Sequence, residues 1–245
     1  MNMNPFQIND LKKFDIYHNF NCHSKVKGYF SKNRITEDGE KSLEKAKQAL
    51  INKGMYDDAY KDIFYFLAGA FTESHAISII GKIPSCMHIN YLLNTEFEST
   101  YQNVDKTKFE IFKEFTDIFF SDYNSKYNTC SPYMKYLEND DFYKMKTLYT
   151  LYDQYEKFTN DIKPNNNTLC FYLSILRDNY YLLLNKYDGK EHNDELLDKL
   201  KMFKELLRTE FTSLRSMLNK SIHKNKSHNK KLKEISEKYL EYMNK

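Results

Sequence analysis

Tryptophan is absent from the 245-residue chain, and glycine and proline are scarce, with 6 and 4 copies. A many-stranded β fold needs glycine and proline for its turns, so this scarcity excludes one. No apolar run reaches the roughly 18–20 residues that cross a bilayer. A charged fraction of 29% and a mean hydropathy of −0.75 exclude a helical membrane bundle. Met1 to Leu11 lacks the basic and then apolar pattern of a secretory signal. Were the protein exported, either the route would need no classical signal or a membrane segment would lie outside this chain. Strong charge of one sign is missing too: 37 basic against 34 acidic residues leave +3. A phosphate backbone needs a concentrated basic surface, so nucleic acid is not an expected partner.

What is present is a large apolar and aromatic inventory. Apolar residues make up 41%, with 21 Tyr and 18 Phe, enough for a chain of this length to bury a core without metals or crosslinks. Lys, Asn, Tyr, Phe and Ile all have A/T-rich codons, so their abundance carries the imprint of an A/T-biased genome. The four cysteines, Cys22, Cys86, Cys130 and Cys170, are widely separated. No CxxC pair occurs, which excludes zinc-knuckle and thioredoxin spacings. Two disulfides in an oxidising compartment suit the even count. Four ordinary buried thiols are the alternative.

Periodicity predicts an all-α fold, a single helical domain of about seven to nine helices over 1–219, followed by a basic tail at 220–245. Residues 1–40 read as polar, with a short helix after Asn4-Pro5. Residues 41–53 form a surface helix stopped by Gly54, and 55–73 carries Tyr60, Phe64, Leu67 and Phe71 at helical spacing. Ser85 is a candidate N-cap for a helix running to about Phe97. Asp105 opens a helix with an aromatic stripe through Phe112, Phe115 and Phe119. Residues 140–159 place Met145, Leu148, Tyr152, Tyr155 and Phe158 on one face. Further helices are predicted at 168–187, stopped by Asp188-Gly189, and from Asn193 to about Leu218. In the last, Phe203, Leu207, Phe211, Leu214 and Leu218 form a near-heptad seam.

Searching for chemistry assigns no catalytic, cofactor-binding or metal-ligating residue. Hydrolase, metalloprotease and P-loop motifs are absent. His18 and His23 flank Cys22, but a spacing of five suits no shared helix face, and both stand in a polar stretch, so they read as solvated. Cys86 with His88 invites a thiol nucleophile; positions i and i+2 diverge on a helix, and a disulfide cysteine at a helix start is the simpler reading. Asp57-Asp58 and Asp140-Asp141 read as acidic decoration of helix N-termini. The six lysines between Lys220 and Lys233 lack arginine for bidentate phosphate binding and aromatics for stacking. They read as a solvated linker. The tyrosine-rich stretch at 143–158 reads as core, with hydroxyls at an exposed rim.

Three blocks resemble a known family. IPSCMHINYLLNTEF at 83–97 resembles the Cys-x-x-(Ile/Leu)-Asn-Tyr-(Trp/Leu)-Leu block of the Plasmodium interspersed repeat proteins, called Vir in vivax malaria. Cys130 followed by YKMKTLYTLYDQYEKF at 143–158 resembles that family's lysine- and tyrosine-rich helix, and Cys170-Phe171-Tyr172 its Cys-x-Tyr element. The likeness covers roughly residues 40–190. It implies a helical, disulfide-bonded, non-enzymatic variant protein, exported to the infected red cell or displayed on it and serving immune evasion and adhesion. Host cell-surface or immune receptors and antibodies would be its partners. Two departures stand out. The family's frequent transmembrane helix is not encoded here, and Leu92 or Leu93 replaces its common tryptophan.

Carried over, Cys86, Cys130 and Cys170 fall on family cysteines and Cys22 on an N-terminal one. Of the three pairings open to four cysteines, an antiparallel hairpin of 86–98 and 105–120 favours Cys86–Cys130, leaving Cys22–Cys170. Exposed, antigenically variable segments are expected at 24–40, 122–129, 160–168 and 188–193. A soluble intracellular scaffold with reduced thiols, docking a partner helix on the 203–218 seam, is the first rival. A thiol-dependent enzyme at Cys86 is the second.

Overall fold

The computed structural model describes residues 18–30, 34–100, 105–123, 130–160, 166–189 and 194–221, and residue 237. Among them are nine α-helices, two short 3-10 turns and no strand. No helix in the described residues is long and apolar enough to cross a membrane. The short helix expected after Pro5 and the basic tail beyond Ser221 lie outside these residues, apart from Glu237.

Local chemistry sets most boundaries. α1 (Phe20–Phe30) starts where the Asn19 side chain accepts from the Cys22 N–H at 2.9 Å. Residues 24–30, expected to be an exposed loop, therefore belong to a helix, whose Val26 and Phe30 are buried. α2 (Glu37–Asn52) is capped by Thr36, which accepts from Gly39 N at 3.2 Å, and carries Glu37, Asp38 and Glu40 in its positive first turn. It ends ahead of Gly54, whose φ of +65° suits glycine. A 3-10 turn at Asp58–Tyr60, capped by Asp57, leads into α3 (Lys61–Phe71).

α4 (Ser74–Ile80) was not anticipated. α5 (Lys82–Thr100) begins three residues before the expected cap: Ser85 lies within it, its hydroxyl donating to Gly81 O at 2.9 Å. α6 (Lys106–Tyr123) is capped as predicted, Asp105 accepting from Lys108 N at 2.9 Å. A 3-10 turn at Ser131–Tyr133 precedes α7 (Asn139–Asn160), α8 (Asn166–Tyr187) and α9 (Asp194–Ser221).

These helices close over two aromatic cores. The first gathers α1 to α6 around Phe64, Phe71, Phe112, Phe115 and Phe119. Ring centroids there approach to 4.9 Å between Phe64 and Phe115 and between Phe97 and Phe112. The second gathers α7 to α9 around Tyr149, Tyr152, Tyr155, Leu183 and Phe203. α9 buries Leu196, Leu200, Phe203 and Leu207 there, so Phe203 and Leu207, the start of the expected partner-docking seam, are internal. Side chains of Phe211, Leu214 and Leu218 lie outside the described ones.

Three elements join the cores. α1 sends Val26 and Phe30 into the first and Phe20 against the second. α5 sends Cys86, Ile89 and Leu93 into the first and Tyr91 against the second. The irregular strap 134–138 runs from Met134 in the first core to Leu137 in the second.

Two asparagines of α5 hold that strap. Asn90 Oδ1 accepts from Lys135 N at 2.8 Å, and Asn94 Oδ1 accepts from Leu137 N at 2.9 Å. The Asn94 amide nitrogen donates to Lys135 O at 3.1 Å and Asn90 O at 2.8 Å. The two side chains thus stand in for a neighbouring strand, satisfying backbone groups that would otherwise be buried without partners. Upstream, the Cys86–Cys130 disulfide anchors the same segment to α5, with Cα atoms 5.3 Å apart.

The disulfide agrees with the expected pairing, although its neighbourhood differs from the hairpin that suggested it. α6 packs mainly on α2, where Ser42 and Lys45 both donate to Asp122 at 2.7 Å. Its approach to α5 is through Phe97 against Phe109 and Phe112.

Candidate functional site

Where α1, α5 and α7 meet, between the two cores, three histidines converge. His18 immediately precedes α1, His23 lies in its first turn, and His88 comes from the first half of α5. They are 5%, 3% and 2% exposed, and one ligand atom from each lies within 4.8 Å of the other two. The solvated state expected for His18 and His23 is thus overturned. Their spacing of five matters little because only His23 lies on the helix; His18 reaches the cluster from the chain leading into it. α1 docks across α5 and α7, which closes both rings off from water.

α7 forms the floor. The His18 backbone N–H donates to the Tyr149 hydroxyl at 3.1 Å. Tyr149 lies under His23 with ring centroids 4.3 Å apart and under His18 at 5.8 Å. Burial raises the Tyr149 phenol well above its ordinary value, so it stays protonated. Tyr91 closes the side, 4.7 Å from Tyr149 between centroids, with burial pushing its phenol up to about 12.

One helical turn beyond Tyr149, Asp153 meets α1. Burial raises its carboxyl, but hydrogen bonds from His23 and Lys27 outweigh this and leave it below the usual value. An ionised carboxylate only accepts, so the 3.0 Å contact between His23 Nε2 and Asp153 Oδ1 fixes His23 with its proton on Nε2. Lys27 Nζ donates to the same oxygen at 2.8 Å. Ser24 donates to Glu156 Oε1 at 2.7 Å. Asp153 and Glu156 thus read α1 along its length, while Tyr149 and Tyr152 carry the aromatic floor.

The imidazole Nδ1 atoms of His23 and His88 are buried with no hydrogen-bond partner. Such an atom costs about 1–3 kcal/mol if it stays unsatisfied. The His88 imidazole is held well below its ordinary value of 6.5, first by burial, then by the His18 and His23 rings, with Asp153 pulling the other way and Lys27 reinforcing the drop. It is neutral and keeps a lone pair. Among the groups described here, the cluster has the chemistry of a metal ligand set rather than of a nucleophilic centre.

A pH dependence follows. The titratable and charged groups acting on His88 are His18, His23 and Lys27 from the α1 side, Tyr91 on its own helix, and Asp153 from α7. Unfolding restores an ordinary histidine near 6.5. Between the depressed folded value and 6.5 the unfolded chain holds the extra proton. The stability contributed by neutral His88 is therefore present above 6.5 and lost as pH falls below it. Urea unfolding in chelating buffer should show stability falling by up to about 1.4 kcal/mol per pH unit from this group. His88→Gln should flatten that slope; an unchanged profile would show that His88 titrates normally.

Cys86 is in the disulfide with Cys130, so no thiolate is available for the nucleophile reading of Cys86 and His88. Cys22 is half-buried on α1. The Cys170 side chain lies outside the described ones, and with it the Cys22–Cys170 pairing. Asp57 caps the 3-10 turn through Ala59 N at 2.9 Å, and Asp140 and Asp141 stand in the first turn of α7. Asp140 is drawn below its usual value by hydrogen bonds from Lys144 and Tyr187.

A cleft of about 770 Å³ between α5, α7 and α8 is lined by Asn94, Glu98, Phe142, Tyr143 and Lys146 among others. Tyr143 supplies the rim hydroxyl anticipated for the tyrosine stretch, with Lys186 Nζ 3.8 Å from its ring centroid. Glu98, the one carboxylate among the described lining residues, is ion-paired with Lys146.

Compared with known proteins, the chain matches no family model, no curated protein and no solved structure.

Proposed function

We propose that this chain is a variant, exported or surface-displayed antigen of a malaria parasite, a presenting module without catalysis that serves immune evasion and host-cell adhesion. The observation that carries the reading is the Cys86–Cys130 disulfide, which suits an oxidising compartment outside the parasite cytosol. It joins the first two sequence blocks that resemble the Plasmodium interspersed repeat family. Two aromatic cores fill the described interior, a packed helical scaffold that agrees with a presenting role. Host receptors and antibodies are the partners expected.

The same disulfide weighs against the reduced intracellular scaffold. Burial of Phe203 and Leu207 also removes the described part of the face that such a scaffold would use.

The test uses protein isolated from infected cells under alkylating, non-reducing conditions. Peptide mapping should recover Cys86 linked to Cys130, and antibodies to the folded chain should label the host-cell compartment or surface. Four alkylated thiols with labelling confined to the parasite interior would overturn the proposal in favour of the scaffold.

A further inference from the structure

We propose that His18, His23 and His88 bind a single divalent transition-metal ion of zinc's class, which fastens α1 across the seam between the two cores. Neutral imidazoles are ligands for this class of metal, whereas magnesium and calcium select oxygen donors. The three ligand atoms already lie within 4.8 Å of one another. Tetrahedral zinc with bonds of about 2.0–2.1 Å to nitrogen sets its ligands about 3.3 Å apart. The rings must therefore close by at most about 1.5 Å, within reach of side-chain rotation.

Two observations point to a ligand rather than to stacked core rings. The first is the pair of buried, unsatisfied Nδ1 atoms on His23 and His88, which a metal ion would engage directly. The second is Asp153. It accepts from His23 Nε2 at 3.0 Å, the outer carboxylate–histidine arrangement that orients a metal-binding imidazole and raises its basicity. With Nε2 so held, Nδ1 is the His23 nitrogen left to ligate, and its lone pair is fixed there by the tautomer. Asp153 also supplies negative charge across the His23 ring from the ion, where it offsets part of the ion's positive charge.

The burial of all three rings assigns the ion a structural role. Three imidazoles leave tetrahedral zinc a fourth position, the usual place of a water molecule. Because the ligands come from around α1 and from α5, distant in sequence, binding energy adds to folding energy, and the ion should hold α1 in place.

Full-length protein, stripped with a chelator and titrated with Zn²⁺, should take up one equivalent and gain thermal stability. Cobalt substitution should give the intense visible absorption of a tetrahedral site, and X-ray absorption on the zinc-loaded wild type should count three imidazoles. His18→Gln, His23→Gln and His88→Gln should each weaken binding at least tenfold. Asp153→Ala, with all three ligands intact, should weaken it about 10–100-fold. A variant replacing His192, His223 and His228 should bind like wild type. Far-ultraviolet circular dichroism of the metal-free variants separates a lost ligand from a lost fold, and the wild-type absorption measurement stands whichever variants fold. Fewer than three imidazoles, binding abolished by the His192, His223 and His228 replacements, or zinc without effect on thermal stability would overturn the site.

Discussion

Replacing Cys86 and Cys130 together by alanine should lower the unfolding free energy by about 4 kcal/mol. The bond closes a loop with a sequence separation of 44, and the chain-entropy relation gives about that figure for such a loop. For a chain of this size, the loss corresponds to a fall of roughly 8–16 °C in Tm. Both sulfurs are buried, so alanine avoids the added cost of an uncompensated buried hydroxyl from serine. Thermal unfolding of the double variant, compared with wild type with and without reductant, checks the expectation. A Tm within 2–3 °C of wild type, on the order of 1 kcal/mol by the same scaling, would mean that the bond constrains little. The effect should fall on one part of the molecule first. Losing the bond frees the chain beyond α6, and hydrogen exchange should quicken at Lys135 and Leu137 more than in the centre of α7.

Asn94→Ala should cost about 2–5 kcal/mol, because it strips partners from Leu137 N–H and the Lys135 carbonyl inside the fold. Asn94→Asp should cost more despite being nearly isosteric. Its carboxylate can still accept from Leu137 N, but its second oxygen would face the carbonyls of Lys135 and Asn90, to which the amide now donates at 3.1 and 2.8 Å. The ordering Asp worse than Ala separates an oriented amide from simple space-filling. Equal or reversed losses in urea unfolding would show that the amide does not hold the strap. Gln48→Ala is a suitable control. It removes an exposed side-chain bond to Asn52, and surface changes of that kind stay within about 0.5 kcal/mol.

Both experiments probe one device, the peg-and-staple that ties the crossing between the cores to α5. The cysteine and the Asn-Tyr pair of the 83–97 block have separable structural duties here. Cys86 staples, Asn90 pegs, and Tyr91, turned about 100° around α5 from Asn90, packs against Tyr149. Asn94, four residues on, completes the peg.

Where sequence reasoning succeeded and failed follows a physical line. Capping chemistry and hydrophobic period act within one or two turns, so the positions of α2, α6, α7 and α8 were legible from Gly54, Asp105, the Tyr and Phe stripe and Gly189. α1 was missed because its buried residues, His23, Val26 and Phe30, do not form a conventional apolar stripe. His23 was read as polar and wet. The signal that could have found it lies in α7, where Asp153 and Glu156 interrupt a tyrosine stripe at helical spacing and call for basic partners from another element. Ser85 misled because a serine inside a helix can donate to the carbonyl four residues back as readily as it can cap.

Legible in the residues alone were the class of fold, the outline of most helices and many of the aromatic side chains that fill the interior. All of these depend on local periodicity. Three features emerge once the helices assemble: α1 crosses the seam, three histidines separated by up to 70 positions share one buried volume, and two asparagines replace a missing strand. Those outcomes depend on the direction in which helices pack. A residue's period along its own helix gives its face, but only the assembled neighbours decide what that face meets.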